Sequence, residues 1–478
     1  MRISHLLASM MALLPTVVAA EVAFTLDSVG PVVTSPNTQV SLVLDAGGIP
    51  QLSFNFWTGT HAELLYAQKT GDAWTIEVAD PATNVGFQSS LALDSAGEPH
   101  ISYTGAYPDT PDLFYATRSR GEWLTDVVDT IGLTGVHSSI AIDSQDVPHI
   151  SYYTEAYDID GKDLIGNLSY ATLVPGNPPQ WIKEYVDEPG DVGLFTSLEL
   201  DASDNPCISY YDRTNLKLKF ARKENGVWTK EVVGPMGSAA VNNTNWQTSL
   251  AIDSNGDYHI SYLTRDVNSP GYYHLSYAVK SGGVWTIELP DPTNDVGWYS
   301  SLALDSQNRP WISYMEQQDD WWDTNLRLAT KQAGVWTHQI VDATERTGTF
   351  TSIALDSQGL PWIAYHSQTA DQVQVAIPNP AAVGVEPFVG SEPLVGAPYP
   401  NPSRGAVTFS LQLPRTEAIR LTLFDIGGRM VSRLPAEEIQ GGSRLLTWNP
   451  HGVESGVYFL RVESSSGIQE TRQITMIR

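Results

Sequence analysis

Cysteine is almost absent from this chain: Cys207 is the only one in 478 residues, so no disulfide can form within the molecule. Cations are scarce as well. Lys and Arg number 27 against 54 Asp and Glu, a net charge of −27. Nucleic acids and anionic membranes are held by clustered cations, so neither is expected as a partner. Apolar runs are short everywhere except near the start. Arg2, the run Leu6–Val18 and the small residues Ala19 and Ala20 predict a secretory signal peptide over residues 1–20, cleaved after Ala20. Beyond it no stretch approaches the roughly 18 consecutive apolar residues of a spanning helix, so no transmembrane span is expected in the mature chain.

A sevenfold repeat fills most of the remainder. SLVLD ending at Asp45 returns as SLALD at Asp94, SIAID at Asp143, SLELD at Asp201, SLAID at Asp253, SLALD at Asp305 and SIALD at Asp356. Each copy continues into a strand such as HISY or WISY, then LSYA or a relative, then a segment like WTIEV. Apolar and β-branched residues alternate in all four pieces, and short Asp/Ser/Gly or Gly-containing turns separate the first from the second and the third from the fourth. Four antiparallel strands repeating at about 40–50 residues describe a β-propeller blade. The seventh copy stops after VQVAI without its last strand, whereas Val22–Asp27 reads VAFTLD and matches the missing piece. The sequence thus predicts an all-β chain whose residues 21–378 form a seven-bladed propeller, closed by its own N-terminal strand.

Residues that keep the repeat are scaffold. Trp74, Trp123, Trp181, Trp228, Trp285 and Trp336 open the fourth strand of successive copies, and their regularity marks inter-blade packing, not ligand platforms. His100, His149 and His259 fall on separate blades beside a tight turn and form no metal set. Cys207 occupies the same slot and is expected as a small buried hydrophobe.

Residues 379–397, rich in Pro, Gly and Val, read as a linker, and 398–478 as a small antiparallel sandwich. The module opens with Tyr399-Pro400-Asn401-Pro402, contains Asp425-Ile426-Gly427-Gly428-Arg429 and Ser455-Gly456-Val457-Tyr458, and ends on a strand. These motifs resemble the C-terminal sorting domains of the type IX secretion system and the related FlgD-like immunoglobulin modules. The resemblance implies export to the periplasm, passage through the outer membrane by the type IX machinery, and a final place outside the cell or on its surface. The repeat itself resembles the sialidase-type propellers of secreted bacterial proteins, but the S-x-D-x-G-x-T-W box of that family is absent.

Function is expected where the repeat breaks. The first-to-second and third-to-fourth turns are uniformly short, so the opposite face carries the variable loops. Its inter-blade loops deliver Gln39, Gln88, His137, Phe195, Gln247, Tyr299 and Phe350 at equivalent positions near the central channel. The second-to-third-strand loops add Tyr211, Arg213, Arg265, Trp321 and Trp322, and Trp57, Trp246 and Trp298 also lie outside the structural slots. Aromatics mixed with amides and carboxylates suit carbohydrate. Three catalytic readings use the same face: Asp212 with Glu316 as a glycosidase pair, Arg213, Arg265 and Arg346 gripping a carboxylate, and His137 or His366 as the base of a lyase. Asp158, Asp160 and Asp163 around Gly161 would suit a structural Ca²⁺; no other cofactor is expected. The reading that results is a secreted or surface-attached protein binding an extracellular glycan or a surface partner. A carbohydrate-active enzyme is the alternative, and a structural or adhesive surface protein the third.

Overall fold

The computed structural model describes residues 22–379 apart from 31–37, 106–110, 158–163, 177, 189, 238–246, 266–271, 294, 319–322 and 345, together with 394–395, 407–413, 417–433, 437–439, 442–448, 453–464 and 469–476. The chain divides into two compact units, of which the first to be described spans Glu21–Asn379.

Seven four-stranded antiparallel sheets build this unit. Blade 1 consists of Val40–Leu44, Pro50–Trp57, Ala62–Thr70 and Ala73–Asp80. Blades 2 to 6 begin at Phe87, Leu133, Val192, Thr248 and Val296. Blade 7 takes three strands from Thr349–Leu355, Pro361–Ser367 and Gln372–Pro378, and its fourth is Phe24–Val29, paired from Phe24↔Pro378 to Val29↔Val373. The ring is therefore a seven-bladed propeller closed by its N-terminal strand, which leaves no blade a strand short.

The repeat's aspartate builds the first turn of every blade. Its Oδ1 accepts the backbone N–H groups two and four residues on, at 2.8–3.0 Å, in all seven copies. The preceding serine has a different task. Ser41, Ser90, Ser139, Ser197, Ser249, Ser301 and Ser352 each accept the N–H of the residue after the serine in the next blade, at 2.9–3.3 Å. The innermost strands would otherwise leave those edge donors unpaired, so the serines form a closed sevenfold belt.

Two further latches join the blades. A tyrosine on the second strand donates to an aspartate ending the preceding blade: Tyr103 to Asp80, Tyr152 to Asp129, Tyr210 to Asp187, Tyr314 to Asp291 and Tyr365 to Asp342, at 2.6–2.8 Å. Farther out, the indole N–H of Trp74, Trp123, Trp181, Trp285 and Trp336 donates to an acid of the preceding blade at 2.7–3.1 Å. A Lys or Arg reaches the same acid at four of these junctions, as Lys331 does Glu288 at 2.6 Å. The tryptophans thus belong to the scaffold. So do His100, His149 and His259, whose Nδ1 atoms meet the hydroxyls of Tyr115, Tyr170 and Tyr277 on their own blades. Cys207 is fully buried, and burial pushes its thiol up to about 12.

Two junctions depart from the tyrosine–aspartate pattern, and they do so consistently. Gly30 and Gly234 occupy the aspartate slots that face Phe54 and Tyr262. At each, an isoleucine from the next blade fills the space where the carboxylate would stand: a Cβ built on Gly30 would lie 3.0 Å from Ile76 Cδ1, and one on Gly234 2.5 Å from Ile287 Cδ1. At three carboxylate junctions the residue in the isoleucine's slot is polar: Lys183 reaches Asp129 at 2.7 Å, Lys230 reaches Asp187 at 3.1 Å and His338 faces Asp291 at 4.0 Å.

The second unit holds a three-stranded sheet of Leu394–Val395, Val407–Leu413 and Gly442–Trp448. Its larger sheet has Met430–Arg433, Glu417–Asp425, Gly456–Ser464 and Gln469–Met476 in spatial order, with Glu437–Ile439 paired to Glu417–Asp425. Val407, Ile419, Leu421, Leu423, Tyr458, Leu460, Val462, Ile474 and Met476 form its core.

Candidate functional site at the channel mouth

The innermost strands enter from the variable face through a shared irregularity. In blades 2, 3, 4, 6 and 7 the pairing of first and second strands slips at a bulge. A glycine opens each bulge: Gly86, Gly135, Gly193, Gly297 and Gly348 have φ of 85–103°. A Cβ on any of them would come within 2.5–2.9 Å of the backbone of Leu64, Leu113, Leu168, Leu275 or Leu326. Two residues later stand Gln88, His137, Phe195, Tyr299 and Phe350, all left-handed with φ of 52–58°. Such a conformation costs a non-glycine residue about 1–3 kcal/mol and persists only where its surroundings over-determine it.

Here the next blade holds it in place. Thr196, Thr248 and Thr351 donate to the carbonyls of His137, Phe195 and Tyr299, each at 2.8 Å. Gln88 Oε1 accepts the N–H of His137 at 2.5 Å. Rings of neighbouring blades also pack together, His137 on Phe195 with centroids 4.2 Å apart and Tyr299 on Phe350 at 4.4 Å.

Four of them, Gln88, His137, Phe195 and Phe350, line a solvent-open cavity together with the serine belt. Gln39, Gln88, His137, Phe195, Gln247 and Phe350 form its upper ring, and serines and threonines its wall. Among the described residues that line it there is no carboxylate, lysine or arginine. His137 is its one titratable side chain; burial, and secondarily the charge of Arg213, lower its pKa to about 3, so it is neutral. Apart from Val40, the wall offers amide, hydroxyl and aromatic groups.

Other expected site residues lie elsewhere. Tyr299 belongs to the ring, but its side chain is buried against Phe350, and burial raises its pKa strongly. Trp298 is a core residue, 1% exposed and packed on Tyr273 at 4.4 Å, because the bulge turns it inward. Tyr211 is also fully buried and donates to the Gly237 carbonyl at 2.6 Å. Arg213 is ion-paired with Asp191, which also accepts the Tyr153 hydroxyl at 2.8 Å. Arg265 lies over the Tyr273 ring.

The candidate carboxylate pair is not brought together. Asp212 is buried on blade 4 and accepts the backbone and side-chain N–H groups of Asn215 at 2.8 and 2.9 Å. Glu316 is on blade 6, held by Arg327 at 2.6 Å and Asn325 at 3.0 Å. His137 with a pKa near 3 is too weak a base for proton abstraction near neutral pH, where a value close to 7 works best. His366 is fully buried beside Thr349, and burial lowers it to about 4. Trp246, Trp321, Trp322 and the acidic residues Asp158, Asp160 and Asp163 lie outside the described residues. Among the described residues no cluster of His, Cys, Asp or Glu could hold a metal ion.

One residue escaped the sequence reading. Glu199 stands in the innermost strand of blade 4 where sister blades carry Val43, Ala92, Ala141, Ala251, Ala303 and Ala354. Its side chain is exposed but enclosed by the ring, and desolvation lifts its carboxyl to about 7. The signal was a single charged letter in SLELD.

Residues 397–477 match the family described as "Secretion system C-terminal sorting domain". This segment is a type IX sorting domain. It implies export to the cell surface or the extracellular space and an interaction with the type IX machinery. No curated protein matches the chain in sequence. Among solved structures, the fold is similar to a polysaccharide lyase of family PL25, an ulvan lyase bound to a GlcA(1-4)Rha3S unit, with 12% identity and a TM-score of 0.50 over 76% of this chain and 96% of that one. It is also similar to a copper-bound fungal alcohol oxidase of the AA5 family (13%, 0.48, 96% and 100%). A third is PorZ, a surface component of the type-IX secretion system of Porphyromonas gingivalis (12%, 0.39, 92% and 59%). At 12% identity the likeness to the lyase speaks for the fold alone. Among the described residues no helix is long and apolar enough to cross a membrane.

Proposed function

We propose that the chain is an extracellular glycan-binding protein whose ligand enters the channel mouth. The observation that carries this reading is the wall of the cavity: amides, hydroxyls and aromatic rings with no formal charge, in a protein of net charge −27. Amides and hydroxyls can orient sugar hydroxyls, while ring faces cover apolar C–H surface. Bulges that fix five ring residues in a left-handed backbone give the socket the rigidity that lowers the entropy lost on binding. The sorting domain supports a ligand met outside the cell. The reading as binding without cleavage is supported by the carboxylates, since Asp212 and Glu316 are each engaged by neighbours and lie on blades separated by a third.

The test is retention of the full chain on a panel of polysaccharides, scored at the same time for new reducing or unsaturated ends. Retention without new ends, lost in Gln88→Ala and Gln247→Ala, is the expected result. New ends that vanish in Asp212→Ala or Glu316→Ala would establish an enzyme instead. Failure to bind any glycan would favour a structural or adhesive role.

A further inference from the structure

Each innermost strand runs from the upper ring through the serine belt and on towards the short turns. The residue two places beyond each belt serine shares that serine's face of the strand. At about 3.3 Å per residue, these seven positions form a collar roughly 7 Å below the belt. Five are alanines and one is Val43, all half-buried, whereas Glu199 is exposed. The channel therefore narrows from an uncharged mouth to a hydrocarbon collar that carries one carboxylate.

No group of the chain answers that carboxylate among the described residues, and desolvation is the sole cause of its rise to about 7. A cation does stand in the same row. Glu199 pairs with Cys207 and Cys207 with Arg222, which places acid, thiol and guanidinium side by side across three strands. Arg222 is engaged elsewhere, by Asp201 at 2.7 and 3.2 Å and by Glu224 at 3.3 Å. In blades 2, 3 and 5 a histidine, His100, His149 or His259, faces the turn aspartate at 3.2–3.7 Å. Cys207 fills that slot in blade 4 and is too short to do so, and Arg222 takes its place.

A poorly solvated carboxylate without a donor weakens the fold, and the alanine of the sister strands would avoid that cost. We propose that Glu199 is the anionic end of a binding site for a primary ammonium group, reached along the central channel. A metal ion would need several oxygen or nitrogen ligands, and no three His, Cys, Asp or Glu side chains converge among the described residues. An ammonium is a compact point charge with three donors, which one carboxylate neutralises. The collar's methyl groups suit an uncharged carrier beside it, and a net charge of −27 raises the local concentration of cations. The site stands apart from the glycan socket above it. Its carrier is an aliphatic amine or an amino sugar, and the test separates the two.

The purified full chain, Glu199→Gln and Glu199→Ala are each examined at pH 7 by saturation-transfer NMR with n-butylammonium, 1-butanol, glucosamine and N-acetylglucosamine. Melting curves check that both variants keep the fold, as expected from the alanines of the sister strands. Binding of an amine but not of its neutral counterpart, lost in both variants, is the expected result. Butylammonium alone would identify an aliphatic amine as the ligand, and glucosamine alone an amino sugar. Equal signals from parent and variants, equal signals from charged and neutral counterparts, or binding of neither amine overturns the assignment. Retention of the same variants on polysaccharides reads the mouth separately, so that either site can fail alone.

Discussion

Gln339 holds Val22 through both ends of its side-chain amide. Its Oε1 accepts the Val22 N–H at 2.9 Å and its Nε2 donates to the Val22 carbonyl at 2.7 Å. The corresponding position in each of the other six blades, Glu77, Asp126, Glu184, Glu231, Glu288 and Asp27, is an acid that accepts from the tryptophan or cation of the next blade. Blade 7 has Phe24 in the tryptophan slot and Pro378 in the cation slot, so an acid at 339 would have neither donor. The amide instead copies a strand pair and pins the start of the closing strand. Gln339→Glu keeps the acceptor and loses the donor, which should cost about 1–3 kcal/mol in urea unfolding at pH 7. The deficit should shrink below about pH 4, where a protonated Glu donates again.

The tyrosine latches differ in worth according to what faces them. Tyr314→Phe removes the hydroxyl that buried Asp291 Oδ2 accepts, leaving that oxygen only Arg327 at 3.4 Å, and should cost about 1–3 kcal/mol. Tyr262→Phe should cost clearly less, because its hydroxyl faces Gly234 and meets no carboxylate. A stronger check is to rebuild the latch. Gly234→Asp alone forces a carboxylate against Ile287 and should destabilise. Combined with Ile287→Lys, which recreates the pattern of Lys183 and Asp129, it should recover most of the loss. A thermal-unfolding double-mutant cycle without that coupling would refute the account of the junction.

Acid and base act on opposite residues of the ring. His366 is held neutral to about 4 by burial, whereas an unfolded histidine takes its proton near 6.5. The unfolded state therefore binds more protons in that interval, and stability falls as pH drops from about 6.5 towards 4. Glu199 behaves in reverse. Folded, it keeps its proton to about 7; unfolded, it loses it near 4.5, so stability falls as pH rises across that window. Glu199→Ala, the residue found at five sister positions, should raise the urea midpoint at pH 8 and change it little at pH 4. His366→Gln should flatten the acid limb between pH 6.5 and 4.

Much of this was legible in the letters. The sevenfold count, the closing strand and the scaffold role of the tryptophans and histidines follow from symmetry, because a residue present in every copy must do something every blade needs. The serine belt was equally present in each repeat, but its partner is a backbone N–H on another blade, which no sequence pattern displays. Trp298 was misplaced for a different reason. Lying outside the repeat's structural slots set it apart as a ligand residue, whereas the bulge between Gly297 and Tyr299 reverses the strand's alternation and sends the tryptophan into the core. The variable loops carry no internal symmetry to reason from, so Arg213 and Asp212 looked available when each has a neighbour that occupies it.

The seam also orders events in time. Phe24–Val29 is the first strand of the propeller to be made, and Gln372–Pro378, its only ladder partner, is the last. Until almost the whole ring has emerged, the opening strand has nothing to pair with, and blade 7 cannot be completed. Asp27, midway along that strand, is then more than an ion-pair partner for Lys69. During the wait it keeps a charge in the middle of an unpaired apolar segment, where edge-to-edge association with another nascent chain would otherwise begin.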